Sequence, residues 1–311
     1  MYSFATALSY EGGIILNTLN RKRNVFIFVA LVIPVILALC FVIYPSFDLL
    51  KMSFTSWDGI SPNRQFIGLE NYRKMFMGSP ELWQSLRNNM IYFIMHFLFI
   101  PIELALAVML TTKFKGAGFF KSVIFLPYVI NGVAIAYAFS YFFSPINGAF
   151  NEILTLLGME GAIRSWLSDK NIVNIALGSV SIWRYAGYHV IMFIAALASI
   201  PSDILEAAEV DGANAWQKLR YIQIPSIQLV IDFILFDNVR GALQVFDLPF
   251  VMTAGGPGYA SSTFTMLTIN TAFKFNNFGM AATMAITIML LIVIIYFIQS
   301  KVIAFCRGER R

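Results

Sequence analysis

The sequence predicts an all-α integral membrane protein with six transmembrane helices, and three observations support this fold class. Of the 311 residues, 58% are hydrophobic and only 13% are charged, whereas about 25% are charged in a typical soluble domain. Apolar runs of about 20 residues, long enough to cross ~30 Å of hydrocarbon, recur along the chain. Lysine and arginine concentrate on one side of these runs, as they do in membrane proteins.

Six predicted spans account for the apolar runs. They cover residues 25–44, 89–110, 119–143, 172–198, 226–246 and 279–305. Several contain proline or glycine, which spanning helices tolerate where neighbouring groups satisfy the freed backbone. The predicted organisation is therefore an amino-terminal tail (1–24), one six-span domain (25–305) and a carboxy-terminal tail (306–311).

The first span begins directly after Arg21, Lys22 and Arg23, a pattern that superficially resembles a secretory signal peptide. Its apolar run of about 20 residues is too long for the core of a signal peptide, and no small-residue cleavage site follows it. We therefore interpret it as a retained transmembrane helix.

The distribution of positive charge predicts the orientation of the chain, with both termini in the cytoplasm. The predicted cytoplasmic cations are Arg21, Lys22, Arg23, Lys113, Lys115, Lys121, Lys218, Arg220, Lys301, Arg307, Arg310 and Arg311. The opposite side carries cations that are spread over longer segments and mixed with acids: Lys51, Arg64, Arg73, Lys74, Arg87, Arg164, Lys170 and Lys274. The net charge of +5 reflects these topology determinants and does not indicate nucleic-acid binding.

The sequence offers little for covalent chemistry. The two histidines, His96 and His189, both lie in predicted spans, and neither has partners at metal-ligand spacing. Cys40 and Cys306 are too far apart in the topology to pair. GAGFFKS (116–122) lacks the Gly-Lys pair of a phosphate-binding loop, and GGPG (255–258) is a turn. We therefore predict no catalytic residue, no metal site and no cofactor bound by this chain.

One polar island interrupts the apolar pattern, EAAEVDGANAWQKLRYIQIP at 206–225. A first short helix is predicted over 203–211, with Ser202 as its cap and Gly212 as a left-handed residue that ends it. A second helix is predicted to start at a capping box formed by Asn214 and Gln217, and to end at Pro225.

The island has more apolar residues than a passive loop needs, and its alanines allow close approach of another surface. Glu206 and Glu209 supply charge for a basic partner. The alternative is an amphipathic hairpin that lies on lipid. The acids disfavour this alternative, because the cytoplasmic leaflet is itself negative. The island, within a loop covering 199–225, is thus predicted to dock a partner.

The spacing of the island resembles the EAA signature of ABC-importer permeases, EAA-x3-G-x9-I-x-L-P. The chain departs from it only at Ile224, where the pattern has leucine. In that family the loop couples the permease to a cytoplasmic ATPase subunit. The resemblance implies that Glu206 contacts the ATPase and that Gly212 forms the turn between two coupling helices. The implied coupling residues are Glu206, Ala207, Ala208, Glu209, Asp211, Gly212, Ile222 and Pro225.

The resemblance extends over roughly 25–305 and is to the MalF-like sugar-permease branch. It is carried by SFTSWDGISPNRQFIGLENYRKMF (53–76), FLPYVINGVAIAYAF (125–139), SIWRYAGYHVIMFIAALASIP (181–201) and FDLPFVMTAGGPG (246–258). It implies a type I importer that carries sugars or related solutes. The implied partners are a second homologous permease, two ATPase subunits that bind ATP and Mg, and an extracytoplasmic solute-binding protein.

Costly polar residues within the spans are candidates for the solute pathway, since an Arg or Asp at the centre of a spanning helix costs about 2.5–3.5 kcal/mol. Span five places Asp237, Arg240, Gln244 and Asp247 on one predicted helical stripe, with Asn238 adjoining. Span four contributes Arg184 beside Tyr185 and Tyr188. These residues either bind solute or pair with one another to hold the bundle. The same two readings stay open for Glu103 in span two.

Three other functions remain to be compared with this one. An ion-driven secondary transporter leaves the EAA spacing unexplained, and a membrane enzyme requires a catalytic cluster that the loops lack. An ABC permease for a non-sugar solute fits the island equally well. Only the four stretches that resemble sugar permeases disfavour it.

Overall fold

The structure is a computed structural model that describes residues 23–112 and 115–306. Its helices are α1 (Arg23–Met52), α2 (Glu70–Gly78), α3 (Pro80–Thr111), α4 (Ala117–Val129), α5 (Gly132–Phe142), α6 (Ala149–Leu156), α7 (Val173–Ala198), α8 (Ser202–Val210), α9 (Ala215–Ser226), α10 (Gln228–Gln244), α11 (Asp247–Thr253), α12 (Phe264–Phe273) and α13 (Phe278–Cys306). Two short antiparallel strands, β1 (Thr55–Ser56) and β2 (Gln65–Phe66), pair between α1 and α2.

Parts of the predicted tails lie outside the described residues. The amino-terminal tail (1–24) is described only from Arg23, which already begins α1, and the carboxy-terminal tail only at Cys306, which ends α13. Six cations used to predict the orientation also lie outside them: Arg21, Lys22, Lys113, Arg307, Arg310 and Arg311.

The described helices are compatible with the six predicted spans. Four of them, α1, α3, α7 and α13, are each long and apolar enough to cross a membrane. Two bent helix pairs supply the third and fifth spans when each pair is counted as one. Two helices extend beyond the predicted spans. Helix α1 continues to Met52, past the predicted end at residue 44, and α3 begins at Pro80, before the predicted start at residue 89.

The third span is broken, a feature that the sequence analysis did not predict. Helices α4 and α5 meet at an angle of 95°. At the break, Asn131 starts a new helix: its Oδ1 accepts hydrogen bonds from the backbone amides of Val133 and Ala134, at 2.9 and 3.4 Å. Asparagine is a strongly preferred N-cap residue, so its side chain favours the start of a new helix over the continuation of the preceding one.

The fifth span also differs from its prediction. Ile227 leaves helical geometry (φ −100°, ψ 14°) between α9 and α10, and the axis bends there by 73°. A second break at Val245 and Phe246 separates α10 from α11. The predicted stop at Pro225 is wrong by one residue, because α9 continues to Ser226.

A wide turn explains how α9 passes through Pro225. Residues Leu219–Gln223 form a π-helical turn, in which the Ile224 amide donates to the Leu219 carbonyl five residues back. The same arrangement precedes Pro45 in α1, where Leu39–Ile43 is π-helical. Proline lacks an amide and its ring clashes with the preceding turn, so a widened turn accommodates it without ending the helix.

The core lies where α3 and α7 pack along each other. One buried cluster includes Tyr92, Leu177 and Leu248, and a second includes Phe193 and Ile234. In membranes, helices associate through close packing and small residues. Gly187 of α7 is such a residue, since a Cβ at this position would overlap the backbone carbonyl of Ile124 in α4.

Several small elements outside the spans were not predicted, namely the strand pair, α2, α6, α11 and α12. The segment around β1 is tied to the amino-terminal end of α13: the Gly279 amide donates to the Trp57 carbonyl at 3.0 Å, and a Cβ on Gly279 would overlap the Thr55 carbonyl. In the same loop, hydrogen bonds from the hydroxyl and amide of Ser61 hold the pKa of Asp58 at about 2. These contacts hold the loop against the amino-terminal end of α13.

Helix α1 stands apart from this packing. None of the residues in its most apolar window is buried, although that window has a mean hydropathy of 3.3. Its last turns, from Tyr44 to Met52, contact α13. Most of α1 therefore presents an apolar surface outside the bundle.

Candidate functional site

The polar island folds as the predicted pair of short helices, α8 and α9, which we call the coupling hairpin (Ser202–Ser226). Gly212 has φ +82°, in the left-handed region that favours glycine. The capping box is also confirmed: Asn214 Oδ1 accepts from the Gln217 amide at 2.9 Å, and Gln217 Oε1 accepts from the Asn214 amide at 2.8 Å. Local rules of helix termination therefore fix the shape of the hairpin.

The predicted cap at Ser202 is wrong. Pro201 precedes α8 as its N-cap, and Ser202 is the first residue of the helix. The Ser202 hydroxyl donates to the neighbouring Asp203 carboxylate at 3.3 Å, and it accepts no hydrogen bond from a backbone amide at the start of the described helix. Pro201 suits this position because its fixed φ of −57° leads the chain into the helix.

The predicted coupling residues lie together on the hairpin. Six are exposed, namely Glu206, Ala207, Glu209, Asp211, Gly212 and Pro225, and two are half-buried, Ala208 and Ile222. Lys218 Nζ forms a close ion pair with the Glu209 carboxylate across the hairpin. Among the described residues, Glu206 and Asp211 have no such partner, so their charges remain available for another chain.

Large apolar side chains accompany these charges. Val210 is 87% exposed, and Tyr221 and Trp216 are also exposed. Helical spacing alone does not predict this exposure, since it does not show which side of a short hairpin faces away from the bundle. A surface with exposed apolar side chains and unpaired acids is typical of an interface with another protein.

The second candidate site is a cavity of about 360 Å³ among α3, α7 and the α10–α11 break. We call it the polar cavity, defined by its lining residues: Tyr92, His96, Ser181, Tyr185, His189, Asp237, Asn238, Arg240, Gly241, Ala242, Gln244, Val245, Phe246, Asp247 and Leu248. Its lining combines aromatic rings with hydrogen-bonding groups, as binding sites for small polar ligands do.

A chain of polar contacts crosses the cavity wall. Arg240 donates to Asp237 Oδ1 from Nη2 at 2.6 Å and from Nε at 3.1 Å, and to Gln244 Oε1 from Nη1 at 3.2 Å. His189 Nε2 lies 3.9 Å from the other Asp237 oxygen. The opposite ring nitrogen of His189 lies 3.0 Å from Glu103 Oε2. These contacts connect α3, α7 and α10.

Glu103 is the most deeply buried member of this chain, with no exposed side-chain surface. The sequence left its role open between packing and pathway. The structure gives it a packing role, because it contacts His189 away from the cavity and is absent from the lining. A buried carboxylate requires such a partner, since an unpaired charge in this position would be costly.

Arg184 forms a separate, close ion pair with Asp247 of α11, and its guanidinium also lies 4.9 Å from the Tyr185 ring centroid. A Cβ on Gly132 would overlap both charged groups. The break in span three, at Gly132, and the break in span five, at Asp247, therefore meet at this ion pair. Only glycine allows the backbone to come this close.

Most residues predicted for the pathway line the cavity: Asp237, Asn238, Arg240 and Gln244, together with Tyr185 and Asp247. Arg184 and Tyr188 do not line it; Tyr188 stacks on Tyr128, with ring centroids 4.7 Å apart. The predicted helical stripe covers Asp237, Arg240 and Gln244 only. Asp247 lies beyond the helix break and turns to Arg184, although it still borders the cavity.

Sequence reasoning missed the contribution of α3 to the cavity and part of the contribution of α7. Tyr92, His96 and Ser181 line it, and His96 Nε2 lies 2.9 Å from the Ser181 hydroxyl. A polar residue every three or four positions on α3 (Asn88, Tyr92, His96) is a signal that would have identified its inward face. No group of three or more metal-ligating side chains occurs within 23–112 and 115–306.

Comparisons with known proteins add evidence from similarity. The chain is 31% identical over 283 residues to a probable ABC transporter permease protein, YurN of Bacillus subtilis, and the match covers 90% of this chain and 97% of the relative. It is 33% identical over 281 residues to the lactose transport system permease protein LacF of Rhizobium radiobacter, covering 89% and 92%. A scan of family models finds no match.

Solved structures share the fold. The chain matches a crystal structure of a bacterial ABC transporter that imports the acidic polysaccharide alginate, with a TM-score of 0.79 and 23% identity over 93% of this chain and 98% of that chain. A second crystal structure shows an alginate transporter with a periplasmic protein bound to alginate pentasaccharide, at a TM-score of 0.77 and 22% identity over 89% and 93%. These matches support the arrangement of helices described above.

Proposed function

This chain belongs to the ABC transporter permease family, and we propose that it forms one half of the translocation pathway of an ATP-driven carbohydrate importer. The observation that carries the proposal is the coupling hairpin, where the spaced EAA motif folds around a left-handed glycine with unpaired acids exposed. The carbohydrate assignment rests on relatives such as the lactose permease and on the polar, aromatic cavity.

The proposed partners follow from this function. Two ATPase subunits bind ATP and Mg and receive the coupling hairpins, one from this chain and one from a second, homologous permease. An extracytoplasmic solute-binding protein delivers the solute; the similar alginate transporter has been solved in complex with a periplasmic protein that binds alginate pentasaccharide. In this proposal ATP and Mg are bound by the ATPase subunits, and we propose neither a cofactor nor a catalytic site for the chain itself.

The proposed orientation places both termini and the coupling hairpin in the cytoplasm. Lys115, Lys121, Lys218 and Lys301 then lie on the cytoplasmic side, as the positive-inside rule requires. The ordered loop with β1, β2 and α2 lies on the extracytoplasmic side.

The fold offers a direct mechanical route from the hairpin to the cavity. Helix α9 is joined to α10 through the single buried residue Ile227, whose amide donates to Gln223 and whose carbonyl accepts from Val230. Helix α10 then carries Asp237, Arg240 and Gln244 into the cavity wall. A displacement of the hairpin by the ATPase therefore moves the polar groups that face the solute, which couples nucleotide binding to access.

The proposal is tested by replacing Gly212 with valine. A β-branched residue is strained at φ +82°, so the hairpin changes shape and no longer fits the ATPase. We expect uptake to fall at least tenfold while the purified importer still hydrolyses ATP. Uptake of labelled lactose and maltotriose is measured in proteoliposomes that hold the whole importer with its binding protein.

Gly158→Val is the matched control. Gly158 also has positive φ (+70°), and nothing lies within 4 Å of its Cβ position, as at Gly212, but it lies in the loop after α6. This control should retain uptake. Unchanged uptake in Gly212→Val, with normal insertion, would contradict the role of the hairpin, and ATP-dependent uptake of a non-carbohydrate alone would contradict the solute class.

A further inference from the structure

We infer that the polar cavity favours solutes without net negative charge, and that the pairing of Arg240 with Asp237 is the feature that excludes anionic ones. The inference rests on the proposed function and narrows its solute class to neutral, polyhydroxylated compounds. It depends on how the charges around the cavity are partnered.

Arg240 is the only arginine or lysine among the described residues that line the cavity. Recognition of a carboxylate or phosphate uses two parallel N–H groups of a guanidinium. In this structure the edge formed by Nε and Nη2 is already bound to Asp237 Oδ1, and Nη1 is bound to Gln244. Three of the five guanidinium N–H groups are therefore already bound within the wall, and an anionic solute would compete with a wall carboxylate for this cation.

The next cation, Arg184, is also held in an ion pair. Its side chain is 13% exposed, does not line the cavity and is paired with Asp247. Asp247 itself lies at the cavity border with 34% of its side chain exposed. A solute therefore meets the carboxylate of this pair before the guanidinium.

The net charge around the cavity also disfavours an anionic solute. The lining groups and their direct partners include three carboxylates, Glu103, Asp237 and Asp247, against two guanidinium groups and the His189 imidazole. With all three carboxylates ionised, the cluster is neutral if His189 is protonated and carries one negative charge if it is not. In neither state does it attract an anion, which would also lose hydration on entering.

A neutral sugar finds better partners. The Tyr92 hydroxyl borders the cavity, is buried and makes no hydrogen bond to any residue in the described ranges. Gln244 is exposed, and the Tyr185 ring provides an aromatic face. Hydroxyl groups that donate and accept can satisfy these groups without breaking an ion pair.

The charge preference can be measured without knowing the solute. Gln244→Cys places a thiol on the cavity lining of a chain whose two native cysteines, Cys40 and Cys306, are replaced by serine. The whole importer in nanodiscs is then treated with methanethiosulfonates of equal size, one carrying a trimethylammonium group and one a sulfonate. Modification of this chain is followed by mass spectrometry, with rates normalised to those of free cysteine.

We expect the normalised cation-to-anion rate ratio to be at least one. Asp237→Asn should lower this ratio about fivefold, because it removes one negative charge two helical turns from the thiol on the same helix, and Arg240→Gln should raise it by a similar factor. Glu160→Gln, which removes an exposed acid outside the lining, should leave it unchanged. A ratio well below one, or no response to either cavity variant, overturns the inference.

An uptake assay separates this inference from the proposed function. Proteoliposomes with the whole importer receive lactose and its anionic relative lactobionate, and maltotriose and trigalacturonate. Uptake restricted to the neutral member of a pair supports the inference. Equal or faster uptake of the anionic member overturns it but leaves the proposed function intact, whereas failure to import any saccharide, with ATP-dependent uptake of another solute, overturns the proposed function.

Discussion

The coupling hairpin and the polar cavity both concentrate charged residues in a mostly apolar chain, but they differ in whether those charges have ion-pair partners. On the hairpin, Glu206 and Asp211 are exposed and have no ion-pair partner among the described residues. Around the cavity, Glu103, Asp237 and Asp247 are all paired with histidine or arginine from the same chain. On the hairpin, water solvates an unpaired acid at little cost in free energy. In the interior of the bundle, a buried acid is costly unless it pairs with a cation of the same chain.

The difference in charge pairing indicates a different role for each region. Unpaired surface charge is available to a second protein, and its removal affects association more than stability. Paired interior charge maintains the helix arrangement and shapes the cavity, so its removal affects the fold first. Three substitutions test this contrast, and they are described from the largest expected effect to the smallest.

The largest effect is expected for His189→Leu. This change removes the partner of Glu103, whose side chain is fully buried, and leaves an uncompensated carboxylate among α3, α7 and α10. We expect a loss of about 3–5 kcal/mol in the free energy of unfolding, as for other broken buried pairs. Steric trapping in bicelles measures this free energy.

Lys74→Leu serves as its control, because Lys74 forms an exposed ion pair with Glu70 at 3.7 Å. Breaking an exposed pair should cost at most about 0.5 kcal/mol. If both variants lost the same stability, the proposed distinction between buried and exposed pairs in this chain would be wrong.

Gly187→Ala is expected to have an intermediate effect. The added methyl group would overlap the Ile124 carbonyl where α7 and α4 cross, so the helices must separate. Overpacking of this kind costs about 1–3 kcal/mol, and we expect this loss in the same unfolding assay.

Gly241→Ala is its matched control, since Gly241 also lies within a spanning helix but has nothing within 4 Å of its Cβ position. Alanine is a better helix former than glycine, so this variant should be at least as stable as the original chain. A destabilised Gly241→Ala variant would show that a glycine-to-alanine change alone, without a clash, lowers stability.

Asn214→Ala is expected to have the smallest effect on the fold. It removes the capping box of α9 and costs about 1 kcal/mol locally. Hydrogen exchange should accelerate about fivefold in the first turn of α9, while the spanning helices keep their protection. Asn214→Ser, which retains a capping oxygen, should restore the slower exchange; equal exchange in both variants would argue against the capping box.

The sequence alone predicted the hairpin in nearly all details, because its determinants are local. A capping box joins residues three apart, and a left-handed glycine requires only its own backbone. Ser202 was wrongly predicted as the cap because Pro201 offered a competing way to begin a helix, and the predicted end at Pro225 was wrong by one residue because a π-helical turn lets α9 continue. Exposure of Val210 and Tyr221 was not predictable, since it depends on how the hairpin is oriented against the bundle.

The cavity was predictable only in part. Asp237, Arg240 and Gln244 share one helix, and their spacing indicated the contacts now observed among them. The breaks on either side of α10 and in the third span were missed, because apolar composition continues through them. In membrane segments hydropathy reports length and burial in lipid, and it carries little information on where an axis bends.

By itself, the sequence determined the six-span organisation, the polar hairpin and the family, because these depend on composition, local caps and a contiguous motif. Only the tertiary structure decided the partners of the interior charges. His189 lies 86 positions from Glu103, and Asp247 lies 63 positions from Arg184. Such pairs form only when bent helices cross, and the positions of the bends depend on packing, as where Gly132 allows two helix breaks to meet at one ion pair.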